Sequence, residues 1–212
     1  MNFLKENYVE LLIKCGEHLY ISAASLLLGI LVAVPLGIVL TRKEKAAGIV
    51  MAIASVFQTV PSFALLALMT VVGVGKKPAI IALFIYSLLP ILRNTYLGIK
   101  QVPENLVDAG MGMGMTQRQV LFKVQLPVSM PVLMNGIRLA AVYVLSWATL
   151  ASYIGAGGLG DYIFTGLQNY IPEMIIMGTI PVTIMALIVD FLLGRLSERF
   201  APERLTSGGE AE

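Results

Sequence analysis

Charge is scarce in this chain. Only 13% of its 212 residues are Asp, Glu, Lys or Arg, against about 25% in an ordinary soluble domain. With 57% hydrophobic residues and a mean hydropathy of +0.82, the composition excludes the usual soluble classes and reads as a membrane protein. Cysteine is scarcer still: Cys15 stands alone, which excludes an internal disulfide and a CxxC metal site. No GxxxxGK[ST] phosphate-binding loop occurs, so the chain lacks the usual means of holding a nucleotide. The net charge is only +2 and the basic residues are dispersed, which argues against nucleic acid. The first apolar stretch has a mixed-charge lead and no small-residue cleavage signal after it. It therefore reads as a retained helix rather than a signal peptide.

What the chain has in plenty is apolar length. A bilayer core of about 30 Å takes roughly 20 apolar residues per helix, and five stretches qualify: 19–40, 47–72, 79–97, 128–153 and 173–194. The predicted fold class is therefore an all-α membrane protein of five transmembrane helices, since lipid leaves each span no other way to satisfy its backbone. Residues 1–18 form an external segment, 98–127 a cytoplasmic loop and 195–212 a cytoplasmic tail. Ten of the basic residues, among them Arg42, Lys43, Lys45, Lys100 and Arg118, fall on one side of this arrangement. Basic residues favour the cytoplasm, so the amino terminus lies outside and the carboxyl terminus inside, with Lys76 and Lys77 a minor exception. His18 reads as an interfacial residue, and Asp190 as an interfacial charge that snorkels near Arg195.

Pro35, Pro61, Pro90 and Pro181 fall inside spans, where each removes a backbone hydrogen bond and predicts a kink. Pro61 belongs to the cluster Gln58, Thr59, Pro61 and Ser62 at the middle of the second span. Polar groups at such depth face a pathway or bind helices together, and the residues leave both readings open.

Residues 108–127, DAGMGMGMTQRQVLFKVQLP, interrupt the apolar pattern. Pro103 and Glu104 suit a helix start, so a short helix runs to about Met111. Gly110, Gly112 and Gly114 each cost about 1 kcal/mol in a helix interior, which predicts a break near Gly114. Thr116 and Gln119 form a capping-box pattern that begins a second helix, ended at the membrane by Leu126 and Pro127. Met111, Met113, Met115, Leu121 and Phe122 would supply flexible apolar contacts to a partner.

Asp108, Ala109 and Gly110, then Gly114, then Val124 to Pro127, resemble the EAA loop of ABC importer permeases, with Asp for Glu, Gly for the second Ala and Val for Ile. The resemblance implies a coupling helix that docks on a separate ATPase subunit. Asp108, Ala109, Gly110, Met113, Gly114, Met115, Leu126 and Pro127 would form that coupling loop. VFQTVPSFALLALM, YSLLPILRNTYLGI and GAGGLGDYIFTGLQ, with GMGMT, are similar to permeases of osmoprotectant importers for glycine betaine, choline and carnitine. That family implies a type I ABC importer fold like that of the methionine importers. It also implies a bacterial plasma-membrane location, two permease subunits, two ATPase subunits and an external binding protein or lipoprotein. This chain would bind no cofactor, ATP and magnesium being used by the ATPase. A methionine or histidine-betaine cargo is the alternative. An ion-gradient transporter is a further one, although the internal repeats and extra spans of that class are missing from the sequence.

For such a cargo, aromatic faces attract a quaternary ammonium by about 0.5 to 2 kcal/mol per ring. Tyr143 and Trp147 share a helix face, and with Gln58, Thr59, Pro61 and Ser62 they form the candidate pathway, aromatic packing being the alternative. Gly155, Gly157, Gly158 and Gly160, with Asp161, form a candidate external gate or binding-protein contact, close helix packing being its alternative.

Overall fold

A computed structural model describes residues 2–200, with side chains from residue 7 onward. Nine α-helices make up the described chain, and no strand occurs among the described residues. Helix α1 (Asn2–Leu40), α4 (Lys76–Lys100), α7 (Leu126–Ala148) and α9 (Pro172–Phe200) are each long and apolar enough to cross a membrane. The segment expected outside the membrane thus continues into the first span as one helix. Helix α9 likewise carries the fifth span into the start of the tail, and residues 201–212, Arg204 included, lie outside the described residues.

The second span departs from expectation. It is two helices, α2 (Glu44–Thr59) and α3 (Ser62–Met69), bent by 92° at their junction. Pro61 causes the break: it supplies no N–H, and its ring disfavours a helical conformation for the residue before it. Val60 is accordingly extended at φ −64° and ψ 128°, and Pro61 follows at φ −55° and ψ 133°. At 1.5 Å per residue, the eight residues of α3 are too few to cross a bilayer alone. The helices run on through Pro35, Pro90 and Pro181 without interruption.

Helix α4 is the centre of the bundle, packed between α1 and α7. Small residues set these approaches, as membrane helices require where no hydrophobic force draws them together. A Cβ on Gly29 of α1 would lie 2.0 Å from Ser87 Oγ of α4, and one on Gly136 of α7 would lie 2.7 Å from the Pro90 carbonyl oxygen. Two apolar clusters fill the interior. One, around Ile21, Leu66, Leu83 and Val144, lies toward the end that carries Lys14; the other, around Ala33, Ile91, Leu92 and Ile137, lies toward the opposite end.

Between α4 and α7 come α5 (Glu104–Gly112) and α6 (Gln117–Val120). Gly110 and Gly112 are absorbed into α5, and the chain turns at Gly114, whose φ of +81° favours glycine. Helix tolerates Gly110 because Val120, Met115 and Val124 pack around it, all within 3.6 Å of where a Cβ would stand. The expected stop at Leu126 and Pro127 is absent. A π-helical turn, Leu121–Gln125, joins α6 to α7, and the Leu126 N–H donates to the Leu121 carbonyl five residues back. The wider turn accommodates Pro127, which has no N–H to contribute to a tighter ladder.

Candidate functional site

The residues singled out in the sequence fall into three groups, and each is held differently. The first surrounds the break in the second span. Tyr143 and Trp147 stack with ring centroids 5.3 Å apart and planes 24° from parallel. Trp147 also meets Tyr86 of α4 edge-on at 4.4 Å. The Tyr86 hydroxyl donates to the Val60 carbonyl at 2.5 Å, directly before Pro61. Tyr86 thus joins the aromatic face of α7 to the broken helix, and Thr59 and Pro61 at the break are exposed. Gln58 and Ser62 are half-buried beside them, and the Thr59 hydroxyl is turned back onto the Val56 carbonyl at 2.7 Å. Sequence reasoning missed Tyr86. It is 2% exposed, and its spacing within an apolar run distinguishes it from no other core aromatic.

The second group lies at the Lys14 end. A short 3₁₀ segment, Leu150–Ile154, follows α7, and the chain then passes Gly155, Gly157 and Gly158 at φ +72°, +81° and +86° into α8 (Gly160–Asn169). The loop is bound to α1. The Gly158 N–H donates to Glu17 Oε2 at 3.2 Å, Glu17 pairs with Lys76 at 2.8 Å, and Lys14 pairs with Asp161 at 2.5 Å. Asp161, read as a contact for a docked protein, therefore has a partner within its own chain. Gly160 packs so closely that a Cβ would stand 1.9 Å from the Thr149 carbonyl oxygen. His18 corrects a second expectation. It is fully buried rather than interfacial, its Nε2 is 3.0 Å from the Leu145 carbonyl oxygen, and Gly158 covers its ring. The reason is that α1 extends outward past residue 18, which puts His18 inside the bundle.

The third group is the segment 104–127. Thr116 Oγ1 accepts from the Gln119 N–H at 3.4 Å, and Gln119 Oε1 accepts from the Thr116 N–H at 2.8 Å, so both halves of the capping box form. Met113 is 72% exposed and Phe122 59%. Asp108, Ala109, Met111, Gly114 and Pro127 are exposed, whereas Met115 and Leu126 are half-buried and Gly110 is buried. Leu121, read as part of the partner surface, is instead buried within the chain, at the start of the π turn. Two cross-links tie this end to α2 and the turn before it: Lys100 pairs with Glu44 at 2.6 Å, and Arg42 donates to the Gln117 carbonyl at 3.5 Å.

Asp190 also departs from expectation. It forms a two-point ion pair with Arg138 of α7, Nη2 to Oδ2 being 2.6 Å. Arg195 lies instead over the Phe191 ring, 5.0 Å from its centroid. A carboxylate one helix away from a fork-shaped guanidinium has a better partner than water at the membrane edge.

The chain is similar to known proteins along nearly its whole length. Residues 25–202 match the family described as binding-protein-dependent transport system inner membrane component. The carnitine transport permease protein OpuCB of Listeria monocytogenes is 55% identical over 99% of this chain and 97% of its own length. The glycine betaine/carnitine/choline transport system permease protein OpuCB of Bacillus subtilis is 54% identical over 97% and 95%. Among solved structures, an inward-facing form of the MetNI methionine ABC transporter superposes with a TM-score of 0.80, at 23% identity, over 91% of this chain and 96% of the other.

Proposed function

This chain belongs to the family of binding-protein-dependent inner membrane transport components, and on that premise we propose that it forms the membrane pathway of an ATP-driven importer for a quaternary ammonium osmoprotectant such as glycine betaine, carnitine or choline. The observation that carries the reading is the near-complete match to permeases named for those three solutes, at 54–55% identity. The fold-level likeness to a methionine transporter speaks for architecture and names no cargo.

The working assembly pairs two permease subunits, this chain with a copy or a homologue, with two ATPase subunits and an external binding protein. The end with Arg42, Lys43, Lys45 and Lys100 is cytoplasmic, because basic residues are retained there, and the Lys14 end faces outward. ATP and magnesium act in the ATPase. Met113 and Phe122 present apolar surface to it, so closure of the ATPase dimer moves the segment 104–125. The π turn joins that segment directly to α7, which carries Tyr143 and Trp147. Toward the outer end of α7 those rings, with Tyr86 behind them, offer a cation weak attraction on its way through. Deep binding there would slow release.

Reconstitution tests this directly. Vesicles containing the chain, its ATPase and its binding protein accumulate labelled glycine betaine, carnitine or choline only when ATP is supplied. Accumulation without ATP would overturn the mechanism, and ATP-driven uptake of none of the three would overturn the cargo.

A further inference from the structure

The pathway described above leaves one built feature unused. Nearer the basic end of the bundle, α4, α7 and α9 border an open groove of about 590 Å³ whose polar lining is Asn94, Asn135, Arg138, Thr183 and Asp190. The Arg138 and Asp190 side chains are 41% and 34% exposed, and they sit within helices that cross the membrane. Charges at that depth are costly against lipid; they face protein or a water-filled cavity and mark solute routes. The pair engages Nε and Nη2 of Arg138 and leaves Nη1, beside Gly194 at the end of the groove where Glu198 is the next carboxylate, for another acceptor. Asn135 and Thr183 are exposed beside it. Asn94 Nδ2 donates to the Pro90 carbonyl at 2.8 Å, which fixes that amide at the back of the groove.

Position along α7 connects this groove to the aromatic stack. Leu139 lines the groove, Tyr143 stands four residues on and Trp147 four more, so the three share one helix face. At 1.5 Å per residue the two ends of that face are about 12 Å apart. Chemically the two ends differ. Aromatic faces recognise a quaternary ammonium, which donates no hydrogen bond, while a guanidinium beside a carboxamide recognises a carboxylate.

We propose that the Arg138–Asp190 groove is an inner station on the route that grips the carboxylate end of a zwitterionic cargo. Arg138 Nη1 and the Asn135 amide receive the carboxylate, and Asp190 faces the ammonium. The proposal rests on the transport function proposed above and adds a preference to it: solutes with both charges are held here, while choline, which has a hydroxyl in place of the carboxylate, is not.

The test uses the full complex of permease, ATPase and binding protein in vesicles. In a Cys15→Ser background, Asn135→Cys is treated with a membrane-impermeant thiol reagent from the ATPase side, with glycine betaine or choline present. Glycine betaine is expected to slow modification about tenfold more than choline does at equal concentration. Equal protection by both, no protection, or no modification at all, as when lipid or the second subunit fills the groove, overturns the station. As a second variant, Asn135→Leu keeps the ion pair and is expected to lower the ratio of glycine betaine to choline uptake about tenfold. An unchanged ratio, or an unmodified chain that carries choline but no glycine betaine, overturns the station. An unmodified chain that carries no quaternary amine overturns the transport function instead.

Discussion

Two glycine-rich segments, 110–114 and 155–160, look alike in the sequence and are held in opposite ways. The second is pinned by distant partners: Glu17 and Lys14 reach it from about 140 residues away, and His18 and the Thr149 carbonyl close on its glycines. The first is held mainly by bonds within its own stretch, the Thr116–Gln119 box and the packing of Gly110, and it leaves Met113 and Phe122 uncovered. A loop whose polar groups are satisfied by its own chain reports on the state of that chain. One that is locally folded but exposes flexible apolar side chains leaves an uncovered surface, the one proposed above to meet the ATPase.

The sharpest way to break the contrast is at Gly160. Valine there would drive a Cβ into the Thr149 carbonyl oxygen 1.9 Å away, so Gly160→Val is expected to abolish recovery of monodisperse permease from the membrane. Wild-type yield would show the loop to be far less fixed than its packing implies. Gly114→Val comes next. It places a β-branched residue at φ +81°, which costs about 1 to 2 kcal/mol, in a segment with open space around it. The permease should still insert, while ATP-driven uptake falls about tenfold; uptake at the wild-type rate would detach the turn from coupling.

Met113→Asp sharpens the comparison further, since the side chain is mostly exposed and its replacement costs the isolated chain little. Binding of the permease to its ATPase should weaken about tenfold with the thermal midpoint of the permease unchanged, as read by co-purification and a melting curve. Equal affinity would remove Met113 from the docking surface. The smallest effect is expected from Glu17→Gln, which removes the ion pair to Lys76 and weakens the bond to Gly158. Partly exposed pairs contribute about 0.2 to 1 kcal/mol each, so the melting point falls slightly, and the difference from the unmodified chain shrinks in high salt. A difference that persists in molar salt would show that packing around Gly158, rather than charge, holds the loop.

Local features were the legible ones. The start of α5 after Pro103, the capping box and the break beside Gly114 follow from residues within a few positions of one another, because capping and φ preference act over one helical turn. Pro61 announced a disturbance, but not that the helix would turn by 92°. Nor did it announce that the Val60 carbonyl beside the break would receive a hydrogen bond from Tyr86, 26 residues on from Val60. The π turn was illegible for a similar reason: Leu126 and Pro127 read locally as a helix stop, whereas Val120 and Val124 pack back on Gly110 of α5 and the helix continues through them.

From its amino acids alone the chain is bound to be a bundle of membrane helices with one polar, glycine-broken segment outside it, because hydropathy and turn chemistry are local and additive along the chain. Which polar residues meet was decided by tertiary structure. Arg138 and Asp190 are 52 positions apart, Lys14 and Asp161 are 147 apart, and His18 reaches the Leu145 carbonyl across 127. Each meeting depends on how closely α1, α7, α8 and α9 approach and how they are rotated. That geometry is set by small residues at helix crossings, which have no periodic signature of their own.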